Sequence, residues 1–250
     1  MQIKIKKDIF VKQFLSPLSK IVGDDDSNKG CIIDLSDNNI TSICNTKDGS
    51  IILLADITSP TGLKEGESTH LNIFDIRKFI KLLDCIQDDE IKLQINNNNL
   101  AYKSSNINFK FHLMDDGIIR KSVVNINKID KLTFNNEFTM SKSKLDEIMK
   151  ISGFAEDSNK IYLNCDNDEI KGELTDKTKP NIDSATIQIA QSYIGDNFRN
   201  IPISLDVLRK ISGIKFDLIN IKINTQTKVL MMELNNNDCL LKYIATALVK

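Results

Sequence analysis

Apolar and polar residues repeat with two different periods along this 250-residue chain. Four segments place apolar residues at helical spacing, and the runs between them alternate apolar with polar residues. The run Ile91-Lys92-Leu93-Gln94-Ile95 is an example of the second kind. Such alternation is typical of antiparallel strands that have one face on a core and the other in water. The pattern therefore predicts an α+β protein.

Each predicted helix begins at a residue that can cap a helix N-terminus. We predict helices over residues 8–22, 74–86, 141–152 and 204–212. The capping residues are Asp8, Asp75, Ser141 and Ser204. Pro17 lies inside the first pattern and predicts a kink or an early stop there, because proline has no N–H to donate to the helix.

The order helix, strands, helix, strands occurs twice along the chain. When the second half is shifted by about 128 to 130 residues, its apolar positions fall on those of the first half. Leu15 then coincides with Leu145, and Leu93 coincides with Ile221. Two unrelated α+β segments can also be matched in this way, which is the alternative to a duplication. A duplication predicts one domain at 1–116, a connector at 117–131 and a second domain at 132–250.

The distribution of charge is more informative than its sum. The net charge of −1 does not suggest a nucleic-acid partner, because phosphates are contacted by Lys and Arg. On a helical wheel, however, the second helix is apolar on one face and carries Arg77, Lys78 and Lys81 on the other. The predicted helices have an excess of basic residues and the rest of the chain has an excess of acidic ones, so one surface can hold a polyanion. The alternative is that these lysines simply form solvated helix faces.

Residues that enzyme sites commonly use are scarce. His70 and His112 are the two histidines, and the sequence has neither a Walker loop nor a dinucleotide-binding fingerprint. The acidic clusters Asp24-Asp25-Asp26 and Asp88-Asp89-Glu90 could hold Mg²⁺ for nuclease chemistry, but both fall in predicted turns, where solvated carboxylates are usual. We therefore expect a protein that is not an enzyme and that needs no metal or other cofactor.

The cysteines and the hydropathy pattern indicate in which cellular compartment the protein acts. The five cysteines are widely spaced and mostly lie in apolar runs, so we expect reduced thiols in a cytoplasmic protein. No stretch approaches the roughly 18 apolar residues of a membrane span, and the N-terminus has no apolar signal region, so no membrane partner is expected. The abundance of Asn fits an AT-rich phage or viral genome, in which case the protein acts in the host cytoplasm.

In the order of its elements, nearly the whole chain resembles the DNA sliding-clamp family, which includes proliferating cell nuclear antigen and the clamp of T-even-type phages. The resemblance is carried by the segments 71–83, 88–93, 100–104 and 111–115. It implies duplicated clamp domains with antiparallel sheets outside and two helices per domain lining a ring. It further implies a homotrimeric processivity factor that encircles duplex DNA independently of sequence. Such a factor is loaded by a clamp loader and tethers DNA polymerase and other replication proteins.

The resemblance also assigns roles to residues of this sequence. The residues implied to face DNA are Lys12, Lys20, Arg77, Lys78, Lys81, Lys150, Arg209 and Lys210. Those implied to form a groove for partner peptides are Ile43, Ile118, Ile119, Val123, Tyr243, Ile244 and Ala245, which are alternatively domain core. Those implied to join subunits are Ile107, Phe109, Ile187 and Ile189, although their segments are alternatively interior strands.

The rival interpretation is a viral nucleic-acid-binding or structural module of another fold. Proteins that bind single strands interleave aromatic residues with basic ones, so that bases can stack on the rings. Here tryptophan is absent, and Phe74 and Phe79 fall on apolar positions of the second predicted helix. This placement favours a clamp.

Overall fold

The chain divides into two compact units. The first comprises Met1–Asp130 with Asn236–Leu241, and the second comprises Lys131–Asn235 with Lys242–Lys250. The computed structural model describes residues 1–23, 29–122, 124, 126–153, 159–166, 169–179, 183–236 and 238–246. The boundaries inferred from the sequence, with domains at 1–116 and 132–250 and a connector at 117–131, stay a prediction.

The first unit combines two sets of antiparallel strands with helices. Its elements are β1 (Gln2–Lys6), a π-helical segment (Ile9–Leu15), α1 (Ser16–Val22), β2 (Cys31–Ser36), β3 (Asn39–Asn45), β4 (Ile51–Thr58), β5 (Ser68–Ile73), α2 (Ile76–Asp84), β6 (Glu90–Asn96), β7 (Asn99–Lys103), β8 (Asn108–His112) and α3 (Ile126–Ile129). One set has the strand order β1-β6-β7-β8, and the other has the order β4-β3-β2-β5. The register pairs Ile3 with Leu93 and Ile33 with Leu71, so buried apolar residues lie opposite each other.

The second unit repeats this plan. Its elements are β9 (Asn136–Ser141), α4 (Lys142–Ser152), β10 (Lys160–Asp166), β11 (Glu169–Leu174), β12 (Ala185–Ala190), β13 (Tyr193–Gly195), β14 (Phe198–Ser204), α5 (Leu205–Ser212), β15 (Leu218–Asn224) and β16 (Val229–Asn236), and β17 (Cys239–Thr246) is divided between the units at Leu241. The strand orders are β12-β11-β10-β14 and β13-β9-β15-β16. In both units a strand leads into a helical segment, further strands, a second helix and closing strands, which confirms the predicted α+β class.

The first predicted helix differs from expectation. The early stop predicted at Pro17 does not occur, because the backbone continues from the π-helical segment into α1, where Pro17 lies in the first turn. The Ser16 N–H donates to the carbonyl of Val11, five residues back. The wider π turn accommodates a proline, which has no N–H and clashes with a carbonyl four residues back in a regular α-helix.

Three of the four predicted caps are confirmed. The side chains of Asp75, Ser141 and Ser204 accept hydrogen bonds from backbone N–H groups at the start of α2, α4 and α5. The cap predicted at Asp8 is wrong. Its backbone is already helical, with φ −61°, and its side chain makes no capping bond; the carboxylate instead pairs with Lys12.

The helices of each unit bury one face and expose the other. In the first unit Phe79 of α2 is fully buried and contacts Phe10 and Phe111, with ring centroids 6.4 and 4.8 Å apart. In the second unit Leu145 of α4 and Leu208 of α5 are buried. Burial of a large apolar side chain contributes about 1.5–3 kcal/mol, so these faces fix the orientation of the helices and leave the polar faces outside.

Candidate functional site

The exposed face of α2 is basic. Ile76, Phe79 and Leu83 are buried, while Arg77, Lys78 and Lys81 are exposed on the opposite side. Asp75 holds the start of the helix by accepting from the Lys78 N–H at 2.9 Å. Among the described residues, the ammonium groups of Lys78 and Lys81 have no ion-pair partner, so these two lysines present positive charge on the exposed face.

The other implied DNA-facing residue pair of the first unit is less available. Lys12 is exposed but pairs with Asp8 at 2.5 Å, and the carboxylate raises the pKa of the Lys12 ammonium. Lys20 in α1 is half-buried. Most of the exposed positive charge of the first unit therefore lies on α2. Lys12 and Lys20 contribute less positive charge than the sequence indicated.

The helices of the second unit mix cations with carboxylates. Lys142 contacts Asp146, and Lys144 contacts Glu147 at 2.6 Å. Lys150 in the last turn of α4 is exposed and makes no ion pair within the described ranges.

The cations of α5 are held by neighbouring polar groups. Arg209 is exposed, and its Nη1 donates to Asp206 at 2.7 Å and to Asn159 at 2.8 Å. Lys210 is half-buried. The second unit thus has a weaker and more localised positive surface than the first.

A cavity of about 570 Å³ lies in the first unit between the strands β2 and β3 and the chain that follows β8. Apolar side chains such as Ile32 and Ile43 line one part, and Asp34, His70 and Arg120 line another. A space of this size can hold several side chains of a bound peptide. We call it the connector cavity.

The chain that covers the connector cavity is fastened to β5. The Met114 N–H donates to the Asn72 carbonyl at 3.0 Å, and the Asn72 side-chain amide donates to the Met114 carbonyl and to the Asp116 carboxylate. His70 Nε2 lies 2.6 Å from the same carboxylate. Hydrogen bonds from His70 and Asn72 hold the pKa of Asp116 below its usual range.

The predicted groove residues are only partly assembled at this cavity. Ile43 lines it, whereas Ile118 is exposed and Ile119 is buried, and neither contributes to its wall. Val123 lies outside the described residues. Tyr243, Ile244 and Ala245 are consecutive buried residues of β17, so both faces of that strand are covered there. The polar lining, which includes His70 and Arg120, was not identified from the sequence.

The segments expected at a subunit interface are the last strands of their sheets. β8 lies at one end of β1-β6-β7-β8, and β12 lies at one end of β12-β11-β10-β14. Phe109 is half-buried and stacks on Tyr102 at 5.4 Å, and Ile107 precedes β8. Ile187 and Ile189 are 5% and 7% exposed, so a partner at β12 would meet backbone groups and Thr186 rather than these two side chains.

Phe74 does not lie where the sequence placed it. It precedes α2, because the helix begins after the Asp75 cap, and it is 39% exposed. The Lys29 ammonium lies over its ring, 4.8 Å from the centroid. The capping signal at Asp75 could have revealed this, since a residue before the cap is not bound to the helical face.

The acidic clusters considered for Mg²⁺ give no metal site among the described residues. Asp24-Asp25-Asp26 lies outside them. Asp88 accepts a hydrogen bond from the Tyr102 hydroxyl at 2.6 Å, which gives this cluster a structural contact. No described helix is both long and apolar enough to cross a bilayer.

Comparison with solved structures identifies the architecture. A. fulgidus PCNA, bound to the C-terminal region of FEN-1, matches with a TM-score of 0.76 and 15% identity over 100% of this chain and 98% of that one. The chain has the sliding-clamp fold. PCNA from Entamoeba histolytica matches with a TM-score of 0.75 and 17% identity, covering 99% and 98% of the two chains.

Bacterial clamps share this fold over a smaller part of their length. The DNA polymerase III beta subunit of Thermotoga maritima matches the sliding-clamp fold at a TM-score of 0.73 and 13% identity, covering 100% of this chain and 66% of that one. No protein-family model and no curated protein matches the sequence. The fold rules out the alternative of a module with a different architecture.

Proposed function

We propose that this chain is a DNA sliding clamp that closes into a homotrimeric ring around duplex DNA, is placed there by a clamp loader, and tethers DNA polymerase and other replication proteins. The observation that carries the proposal is the exposed basic face of α2, on which Lys78 and Lys81 make no ion pair among the described residues, in a chain with the clamp fold along its whole length. The protein would act in the cytoplasm, at replication forks of a host cell if its origin is viral.

The chemistry of the helix faces suits a ring that slides. Lys78, Lys81 and Lys150 end in flexible side chains that meet phosphates as point charges. Contacts of this kind carry no sequence information and exchange readily between phosphates. The helices therefore hold the duplex without fixing it at one base pair.

The edge strands of the two four-stranded sheets can close the ring by pairing between subunits. β8 of one subunit can pair with β12 of the next, because each presents backbone N–H and C=O groups that would otherwise invite aggregation. The buried positions of Ile187 and Ile189 mean that backbone bonds and polar side chains would dominate this contact. Three chains of two units each, paired head to tail, would close the proposed ring.

The connector cavity is the proposed docking site for polymerase. A. fulgidus PCNA binds the C-terminal region of FEN-1, which is a peptide partner of a protein with this fold. Ile43 on the cavity wall provides an apolar contact, and Arg120 provides a charged one. A peptide from polymerase can enter between β2, β3 and the chain that follows β8.

Ring formation is tested by topology as well as by mass. Light scattering should give about 85 kDa, three times the chain mass of 28.2 kDa. Rings loaded on nicked circular DNA should remain bound, and cutting the circle should release them. Equal retention on circular and linear DNA would show side-on binding and would refute the proposal.

Tethering is tested by a matched pair of substitutions. Ile43→Asp places a charge on the wall of the connector cavity, whereas Ile194→Asp makes the same change at a residue that is 76% exposed on β13. Both variants should be retained on circular DNA, but only Ile43→Asp should shorten the products of the cognate polymerase. Equal product lengths for the two variants would exclude this cavity as the docking site.

A further inference from the structure

The ring of Phe74 is partly exposed and pairs with no other aromatic ring among the described residues. A residue directly before a helix cap often packs on the residue four positions into the helix, which here is Phe79. Phe79 instead contacts Phe10 and Phe111, and within the described residues Phe74 makes no ring contact with it. The 39% exposure of Phe74 is therefore not explained by a staple at the start of α2.

A positive charge lies over this ring. The Lys29 ammonium lies 4.8 Å from the ring centroid and 4.0 Å from the Asp75 carboxylate. Arg77 and Lys78 follow within the first turn of α2, and both are exposed. The Asp75 carboxylate already accepts from the Lys78 N–H and lies near Lys29, so its charge is partly offset.

The backbone fixes Phe74 in this position. The Ile76 N–H donates to the Lys29 carbonyl at 3.1 Å, which ties the residues before β2 to the start of α2. A Cβ at Gly30 would lie 2.7 Å from the Ile73 carbonyl oxygen and 2.9 Å from that of Phe74, so glycine is needed for this close approach. The backbone segments that carry Phe74 and Lys29 are thus held close together.

We propose that Phe74 and Lys29 form a stacking site for an unpaired nucleotide of single-stranded DNA. A base can stack on the exposed part of the ring, and its phosphates can meet Lys29 and Lys78; an aromatic ring beside cations is the combination that binds single strands without regard to sequence. The inference rests on the proposed function in that α2 faces DNA. It adds a contact for the strand that is unpaired beside a primer end.

The absence of tryptophan from the chain allows a direct test. Phe74→Trp introduces a single tryptophan, whose emission should be quenched when an oligothymidine of about twelve nucleotides stacks on it. Ile194→Trp is the matched control, since it places the reporter at an exposed apolar position of the second unit. Quenching at position 74 and none at position 194 is expected. Equal quenching at both positions, or none at position 74, would overturn the inference.

A second variant measures what the ring contributes. Phe74→Leu keeps an apolar side chain and should fold normally, which the urea midpoint will show. It should weaken oligothymidine binding by about five-fold to a hundred-fold, the range for the loss of one stacked base, and leave the binding of a short duplex unchanged. Unchanged oligothymidine binding would contradict the stacking site. Loss of ring retention on circular DNA concerns the proposed function instead, so the two failures are distinguishable.

Discussion

Removal of two cations from α2 should change the salt dependence of duplex binding by a calculable amount. Lys78 and Lys81 are exposed on the same face and lack ion-pair partners among the described residues. Each phosphate contact adds about 0.9 to the slope of the logarithm of affinity against the logarithm of salt concentration. The double variant Lys78→Ala/Lys81→Ala should therefore lower the magnitude of this slope by about 1.8 for each subunit that contacts the duplex.

The effect is large enough to measure directly. Between about 50 and about 200 mM salt, a slope difference of 1.8 corresponds to roughly a ten-fold difference in how much affinity is lost. Fluorescence anisotropy with a short linear duplex measures this over several salt concentrations. The control is Lys103→Ala, which removes an exposed lysine from the end of β7. It should leave the slope unchanged.

Two results would refute this reasoning. If Lys103→Ala lowers the slope as much as a single α2 substitution does, the duplex responds to net charge rather than to the helix face. If the double α2 variant keeps the original slope, the phosphates are contacted by other residues. In the second case the basic face of α2 is only a solvated surface.

Three further predictions concern the framework that positions these surfaces. Gly172→Ala should destabilise the second unit by about 1–3 kcal/mol, because the new Cβ would lie 2.5 Å from Ile161 Cδ1 and 2.8 Å from Ile189 Cδ1; Ile189→Val should recover part of this loss in urea unfolding, and additive effects would contradict the packing. Asp75→Ala should cost about 1 kcal/mol through loss of the α2 cap, whereas Asp75→Ser should cost much less; equal urea midpoints for the two variants would contradict the capping role. The pKa of Asp116, followed by the amide resonance of Gly117, should lie below 3.8. The hydrogen bonds of its carboxylate should stabilise the connector at every pH above the ordinary carboxyl pKa, and this stabilisation should be lost as the pH falls through the lowered pKa. His70→Ala should raise that midpoint, and an unchanged midpoint would show that His70 does not hold the carboxylate.

Periodicity predicts α2, α4 and α5 because the two faces of these helices differ so strongly. On α2 the buried Phe79 and Leu83 alternate with Arg77, Lys78 and Lys81 at the spacing of a helix. Capping then sets where such a helix begins, and the Asp75 cap leaves Phe74 outside α2. A residue before an N-cap has left the helical face, so its apolar character did not imply burial.

Several predicted site residues are buried in the structure, and their sequence pattern could not distinguish a core from a binding surface. An apolar strand residue is equally consistent with a core and with a binding surface, because both bury apolar area. Tyr243, Ile244 and Ala245 are core, and so are Ile187 and Ile189. The polar wall of the connector cavity was missed for a related reason, since Asn72 and Asp116 meet only after the chain between them has folded into α2 and the strands β6, β7 and β8.

The π-helical segment before α1 has a consequence for changes in chain length. Its hydrogen bonds span five residues, so it holds one residue more than an α-helical turn would. Deletion of one residue between Ile9 and Leu15 would let the segment relax to α geometry, and the residues after it would keep their positions around the axis, because the deletion removes the residue that the wider turn accommodates. Insertion of one residue has no such compensation and would rotate Leu18 out of the core by about 100°. This stretch should therefore tolerate the loss of one residue better than the gain of one.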